Sequence, residues 1–272
     1  MKIIRYLGTD GEIRHAARLP DGFLYDITGD LYADWRVTDR RADIRQALAP
    51  VAPTAIFGVA CNYRCHGAEA NAGVPEYPVV FAKTLNSVQP PGSPILLPAF
   101  LRADEVDYEC ALAVIIGRTC KNVRPDQALG FVLGYTAAND ISARDWQLTR
   151  GGGRWARGKN WDTFCLLGPC LVTPECIPNP NALSIKTTLT DGEGNREAAR
   201  SCSTSDMLFD VPTLIAFLSA SATLLPGTVI LTGASHSVGM ARRPPRWLRP
   251  GDVVTLEVEK IGLLTSTVEA ES

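Results

Sequence analysis

Residues 107–117 read Asp-Tyr-Glu-Cys-Ala-Leu-Ala-Val-Ile-Ile-Gly, and their alternation decides the architecture. In a β-strand successive side chains point to opposite faces. Asp107, Glu109, Ala111 and Ala113 then share one side, and Tyr108, Cys110, Leu112 and Val114 the other. Two acids stand on a face otherwise made of small residues, at the head of an apolar run. A half-buried carboxylate there needs a partner, because an unpaired buried charge is costly. The plainer alternative is a strand end where Asp107 and Glu109 are solvated.

Similar runs recur along the chain: TAIFGVA at 54–60, PVVFAK at 78–83, ILLP at 95–98, GFVLGYTAA at 130–138, CLLGPCLVT at 165–173, SIKTTLTDG at 184–192, TVILTG at 228–233 and DVVTLEVE at 252–259. All are short, rich in β-branched residues and bounded by Gly, Pro or Asp, which marks strands. Helical periodicity is clear only in MLFDVPTLIAFLSASATLL at 207–225 and weaker in DQALGFV. Strands without regular intervening helices disfavour a doubly wound fold. The expected class is α+β and β-rich.

Before Ala55 the texture differs. MKIIRYL, GEIRHAARL and GFLYDI suggest strands, and DRRADIRQALA at 39–49 has helical spacing, with Ile44, Ala47 and Leu48 on one face. The proline-bounded stretch 49–53 reads as a linker. The expected organisation is a small N-terminal α+β domain over 1–52 and a β-rich domain over 53–272.

Composition narrows the function. The 272 residues hold 27 Lys plus Arg against 29 Asp plus Glu, a net charge of −2, which argues against nucleic-acid binding. A 46% hydrophobic fraction excludes disorder, yet no run reaches the ~20 apolar residues of a membrane span. The opening MKIIRYLGTDGE lacks a secretory core, so the expected location is cytoplasmic. Eight cysteines without a C-x-x-C pair, and only three histidines, point to reduced thiols rather than disulfides or structural zinc. The arginines of ARRPPRWLRPG at 241–251 are interleaved with prolines, which suits a loop near a site better than a phosphate-binding patch.

The candidate chemistry starts from a second acid. Asp140 closes GFVLGYTAAN, and Arg144, Asp145 and Gln147 follow within one short stretch. A glycine triplet at 151–153 then leads to Lys159 in ARGKNWDTF. Carboxylates on two strand ends with Arg, Gln and Lys nearby suit a hard divalent cation and an oxygen-rich anionic substrate. A third element is Asn62-Tyr63-Arg64-Cys65-His66-Gly67-Ala68-Glu69. If helical, it makes His66 and Glu69 neighbours at i, i+3, an oriented general base for water. A surface ion pair is the alternative.

Taken in order, GVACNYRCHGAE, PVVFAKTLNSV, EVDYECALAVIIGR, GYTAANDISARDWQ, RGKNWDTFCLLGPCLVTPE, SDMLFDVPTLIAFLS and LRPGDVVTLEVEKIG resemble the fumarylacetoacetate hydrolase family. ARDWQ and GK-x-x-DTFC resemble its branch acting on acylpyruvates and oxaloacetate. The resemblance implies a mixed β-roll or β-sandwich and a homodimer. It implies Glu109 and Asp140 as ligands of a divalent cation, Mg²⁺ first, with Mn²⁺ or Ca²⁺ as alternatives. It casts Lys159 as the group that stabilises an enolate, and His66 with Glu69 as the pair that activates water. Arg144, Gln147, Tyr63, Thr232 and Ser235 become contacts for a small dicarbonyl or keto-acid substrate.

The implied reaction is hydrolytic C–C cleavage of a 1,3-dicarbonyl acid of acylpyruvate type through a metal-stabilised enolate. Decarboxylation or tautomerisation of a β-keto acid needs the same enolate without attacking water, and stays open. So do a catalytically silent member and a metal-site mutant inactivated at Ala111, because the family pattern is broken. Ala111 occupies the expected third ligand position, Ala234 replaces a hydroxyl, and Thr228 replaces an aspartate.

Overall fold

The structure, a computed structural model, describes residues 1–64, 73–197, 200–234 and 238–271. Five strands open the chain: β1 (Lys2–Gly8), β2 (Ile13–Arg18), β3 (Leu24–Gly29), β4 (Trp35–Arg41) and β5 (Ile44–Leu48). Then come β6 (Ala55–Ala60), β7 (Val79–Lys83), β8 (Val88–Gln89), β9 (Ile95–Leu97), β10 (Val106–Asp107) and β11 (Cys110–Ile116). A single-turn helix α1 (Pro125–Ala128) leads into β12 (Val132–Asp140) and β13 (Ser142–Ala143), followed by α2 (Ala156–Lys159) and β14 (Cys165–Val172). The chain continues through β15 (Ser184–Thr190), β16 (Arg200–Ser203), α3 (Val211–Ser221), β17 (Thr228–Leu231), β18 (Val253–Val258) and β19 (Gly262–Ala270). Each apolar run of the second half became a strand, as its composition predicts.

The larger sheet runs β4-β3-β2-β1-β14-β12-β11-β17-β6-β7, with β5 added to β1 and β8 to β14. A second sheet, β16-β15-β18-β19-β9, covers one side of it, and β10 pairs with β13. Strand β11 is central, and every residue from Cys110 to Ile116 is buried. Its parity divides two cores. Tyr108, Cys110, Leu112, Val114 and Ile116 pack toward Ile185, Leu256 and Leu264 of the second sheet and Leu214, Ile215 and Leu218 of α3. Ala113 and Ile115 pack toward Ile3, Ala17, Leu31 and Val51. A strand covered on both faces needs an unbroken apolar sequence, and AVIIG supplies one.

Helix α3 starts where Asp210 accepts the Thr213 amide at 2.9 Å, with Pro212 in its first turn. It is the helix expected within 207–225. Among the described residues no helix is long and apolar enough to cross a membrane. The seven described cysteines are free thiols.

The helix expected at 39–49 does not form. That stretch holds the end of β4 and all of β5, and Gln46, Ala47 and Leu48 pair with Leu7, Tyr6 and Arg5. A helix under about 12 residues is marginal by itself, so an available β1 edge wins. The N-terminal strands also join the main sheet directly, since Lys2 and Ile3 pair with Val172 and Leu171 of β14.

Candidate active site

Register between β11 and β12 sets the site. Cys110 lies opposite Asn139 and Ala111 opposite Ala138. One step further, the Asp140 amide donates to the Glu109 carbonyl at 2.9 Å. Antiparallel pairing thereby places two carboxylates from distant sequence side by side. The Glu109 amide donates to Asn139 Oδ1 at 3.1 Å, fixing Glu109 where regular pairing stops.

Three cations converge on these acids. Lys159, the last residue of α2, donates through Nζ to Glu109 Oε2 at 2.5 Å and to Asp140 Oδ2 at 2.8 Å. Lys83, the last residue of β7, places Nζ 2.8 Å from Asp140 Oδ1 in a charge contact. The same ammonium donates to the carbonyls of Ile141 and Lys159. Arg144, just beyond β13, donates from Nε to Asp107 Oδ2 at 3.0 Å and from Nη1 to Gln147 Oε1 at 3.0 Å. Its Nη2 contacts Glu109 Oε1. Lys159 is 1% exposed and the Lys83 side chain is fully buried. Asp107, Glu109 and Asp140 thus face Lys83, Arg144 and Lys159, a balance that a buried cluster requires.

Asp107 is anchored rather than solvated, contrary to the plainer expectation for this strand end. It is wholly buried and accepts the amides of Tyr108 at 2.9 Å, Gly239 at 2.7 Å and Met240 at 3.2 Å. The strand breaks at Tyr108 and Glu109, between β10 and β11, so the acids do not lie along one continuous strand. Burial pushes the Asp107 carboxyl up from its ordinary value, with Arg144 opposing. Burial works against the Arg144 charge, yet Glu109 and then Asp107 hold its guanidinium above its usual value. Gly239 has to be small, since a Cβ there would stand 2.8 Å from Asp107 Oδ1 and collide with the Arg246 carbonyl.

A cavity of ≈ 110 Å³ opens onto this cluster. Glu109, Arg144, Gln147 and Lys159 line it together with Val59, Ala60 and Cys61 at the end of β6, and with Leu148, Trp155, Ala234 and Met240. A larger cleft of ≈ 390 Å³, lined by residues such as Leu96, Phe100 and Trp161, holds none of the clustered charges. In the 241–251 loop, Arg242 Nη2 donates to the Tyr108 hydroxyl at 2.6 Å and Arg246 Nη2 to Asp252 Oδ1 at 2.7 Å, and neither arginine lines the cavity.

The structure brings together Glu109, Asp140, Lys159, Arg144 and Gln147, all named from sequence. Tyr63 and Thr232 are buried, with their hydroxyl oxygens 3.3 Å apart, and Thr232 Oγ1 donates to the Leu112 carbonyl at 3.0 Å. Neither lines the cavity. His66, Glu69 and Ser235 lie outside the described residues. Sequence reasoning missed Lys83; a lysine closing the apolar run PVVFAK was the available signal. Cys61 was missed too, and it holds a left-handed backbone, φ 53°, at the cavity wall.

Residues 55–269 match the family model for the fumarylacetoacetate (FAA) hydrolase C-terminal region. The chain belongs to the fumarylacetoacetate hydrolase family. Among relatives of this family member, oxaloacetate tautomerase fahd2, mitochondrial, of Xenopus laevis is 40% identical over 222 residues, covering 81% of this chain and 67% of that one. A 5-carboxymethyl-2-hydroxymuconate delta-isomerase from Mycobacterium smegmatis superposes with a TM-score of 0.83 at 36% identity, covering 100% of each chain. A fumarylacetoacetate hydrolase from psychrophilic Exiguobacterium antarcticum gives 0.84 at 32%, again over 100% of each. This chain is an enzyme of the family with the family's mixed α+β, sheet-rich fold.

Family members generally use a divalent metal. The donor set of this family member does not fit one. Ala111, where the resemblance implies a third carboxylate ligand, is buried and carries only a methyl group. All four oxygens of Glu109 and Asp140 already contact Lys83, Arg144 or Lys159. Among the described residues no three His, Cys, Asp or Glu side chains are grouped to hold a metal ion. A hard cation wants oxygens free of such competitors.

Proposed function

We propose that this chain interconverts the keto and enol forms of a small β-dicarbonyl acid of the oxaloacetate type. One observation carries the reading: Lys159 Nζ bridges Glu109 Oε2 and Asp140 Oδ2 at the floor of the cavity. Enolisation moves one proton from carbon to oxygen and neither adds nor removes an atom. Glu109 takes the proton from the carbon between the carbonyls, and Lys159 gives one to the carbonyl oxygen as charge builds there. Proton return across the 2.5 Å Glu109–Lys159 contact resets both groups. Arg144 supplies a fixed positive charge that steadies Glu109 and attracts a substrate carboxylate.

The size of the cavity supports a small substrate. At ≈ 110 Å³ it is well below the ~300 Å³ at which ordinary ligand pockets begin. The tautomerase and isomerase names of two relatives agree with a reaction that needs no attacking water. Hydrolytic cleavage would in addition call on a group to activate water, the role the family resemblance gives His66 with Glu69.

The test follows the enol absorbance of oxaloacetate in parallel with product mass. The expected result is accelerated ketonisation with unchanged mass and, in deuterated solvent, label at the central carbon. Lys159→Met should slow it by about 10²–10⁴-fold. Carbon dioxide release or addition of water at the same turnover would refute the tautomerase reading.

A further inference from the structure

We propose that the Lys159 ammonium, backed by Lys83, occupies the place of a divalent cation in this chain, so that its centre is built from fixed protein charges. The inference does not depend on which enolate reaction the cavity supports. Lys159 Nζ stands between Glu109 Oε2 and Asp140 Oδ2, 2.5 Å and 2.8 Å from them, so an ion shared by the two acids would have to compete with it. The outer oxygen of each acid has its own cation, Arg144 for Glu109 and Lys83 for Asp140.

Two further features suit an ammonium and oppose a divalent ion. The Phe81 ring lies beneath Lys159, its centroid 4.5 Å from Nζ. An aromatic face attracts a monovalent cation but offers no lone pair for a coordination shell. Ala111, buried on β11, supplies a methyl group at the position where the family pattern puts a carboxylate. The charges also close without a metal. Three carboxylates meet three cations, and a divalent ion would leave two uncompensated positive charges in a region shielded from water. The missing carboxylate at 111 and the lysine between the two remaining acids therefore act together against a divalent ion. An ammonium also differs in kind from a metal ion, because it carries a proton that it can give up.

The test measures metal binding directly, by depletion of the free Mn²⁺ electron paramagnetic resonance signal. The chelator-stripped wild-type chain, Ala111→Glu and the double variant Ala111→Glu/Lys159→Met are compared, with circular dichroism confirming that each is folded. The wild-type chain is expected to leave the signal intact at stoichiometric Mn²⁺. Restoring the carboxylate should produce binding, and also removing the competing ammonium should tighten it by about tenfold or more. Mn²⁺ bound by the wild-type chain as tightly as by Ala111→Glu would overturn the proposal. So would a double variant that binds no better than Ala111→Glu. Neither readout involves turnover, so a failed tautomerase assay leaves this inference standing, and Mn²⁺ bound by the wild-type chain removes it even if tautomerase activity is found.

Discussion

Replacing Lys83 with methionine isolates the least visible member of the charge cluster. The side chains are similar in length, so the change removes charge and three polar contacts while largely keeping the volume. In the wild-type chain Lys83 Nζ lies 2.8 Å from Asp140 Oδ1 and donates to the carbonyls of Ile141 and Lys159. Without it, Asp140 Oδ1 is a buried anionic oxygen lacking its nearest cation, although Lys159 still holds Oδ2. Breaking a buried pair from one side costs about 3–5 kcal/mol, and the retained Lys159 contact places this case toward the lower figure. For a chain of this size, that corresponds to a fall in Tm of about 6–20 °C. Urea unfolding followed by tryptophan fluorescence would read the loss directly. Adding Asp140→Asn to Lys83→Met should cost less than the two single changes summed, by about 1 kcal/mol or more, because the charge left unpaired is gone. A loss below about 1 kcal/mol for Lys83→Met, with an unchanged denaturant slope, would refute the ion-pair account.

Two other perturbations follow from the same geometry. A Cβ at Gly158 would lie 2.6 Å from the Ala143 carbonyl oxygen and 2.7 Å from the Gln147 amide nitrogen. Gly158→Ala should therefore displace α2 and the adjoining Lys159, costing about 1–3 kcal/mol and lowering kcat by about tenfold or more; wild-type turnover would contradict it. At the other end of the molecule, burial and the cross-strand Arg5 push the His15 imidazole down to about 4. Between about pH 6.5 and 4 the unfolded chain then takes up the proton first, so stability is full above that window and declines through it as pH falls. The decline attributable to His15 is at most about 3 kcal/mol. Measured by denaturant midpoints across that range, His15→Gln should flatten it, and an unchanged slope would show that other groups set the acid sensitivity.

Parity along the strands was the most legible part of this sequence. Tyr108, Cys110, Leu112 and Val114 were expected on one face, and they do enter one core, while Ala113 and Ile115 enter the other. Parity could not show where the strand would stop. Asp107 was placed on the Glu109 side of an unbroken strand, whereas the backbone leaves regular pairing at Tyr108 and gives Asp107 its own amide donors. Helical spacing at 39–49 was misleading for a different reason: local periodicity takes no account of the vacant β1 edge nearby. Within the site, Glu109, Asp140, Arg144, Gln147 and Lys159 were legible from motif order. Their contacts were not, because register between β11 and β12 decides which oxygens meet which nitrogens. Lys83 escaped attention because a single lysine after an apolar run usually marks the return to solvent; here the strand ends inside the protein.

The pairing of β1 with β14 has a consequence for how the molecule is made. Lys2 and Ile3 lie against Val172 and Leu171, so β1 leaves the ribosome with one of its partners about 170 residues downstream. At ordinary synthesis rates that is a wait of roughly 10–30 s, during which β1 can pair with β2 and β5 but not complete its place in the large sheet. The first fifty residues thus begin folding as a hairpin-rich segment with one side unsatisfied. They complete the large sheet only after the helix that carries Lys159 has emerged.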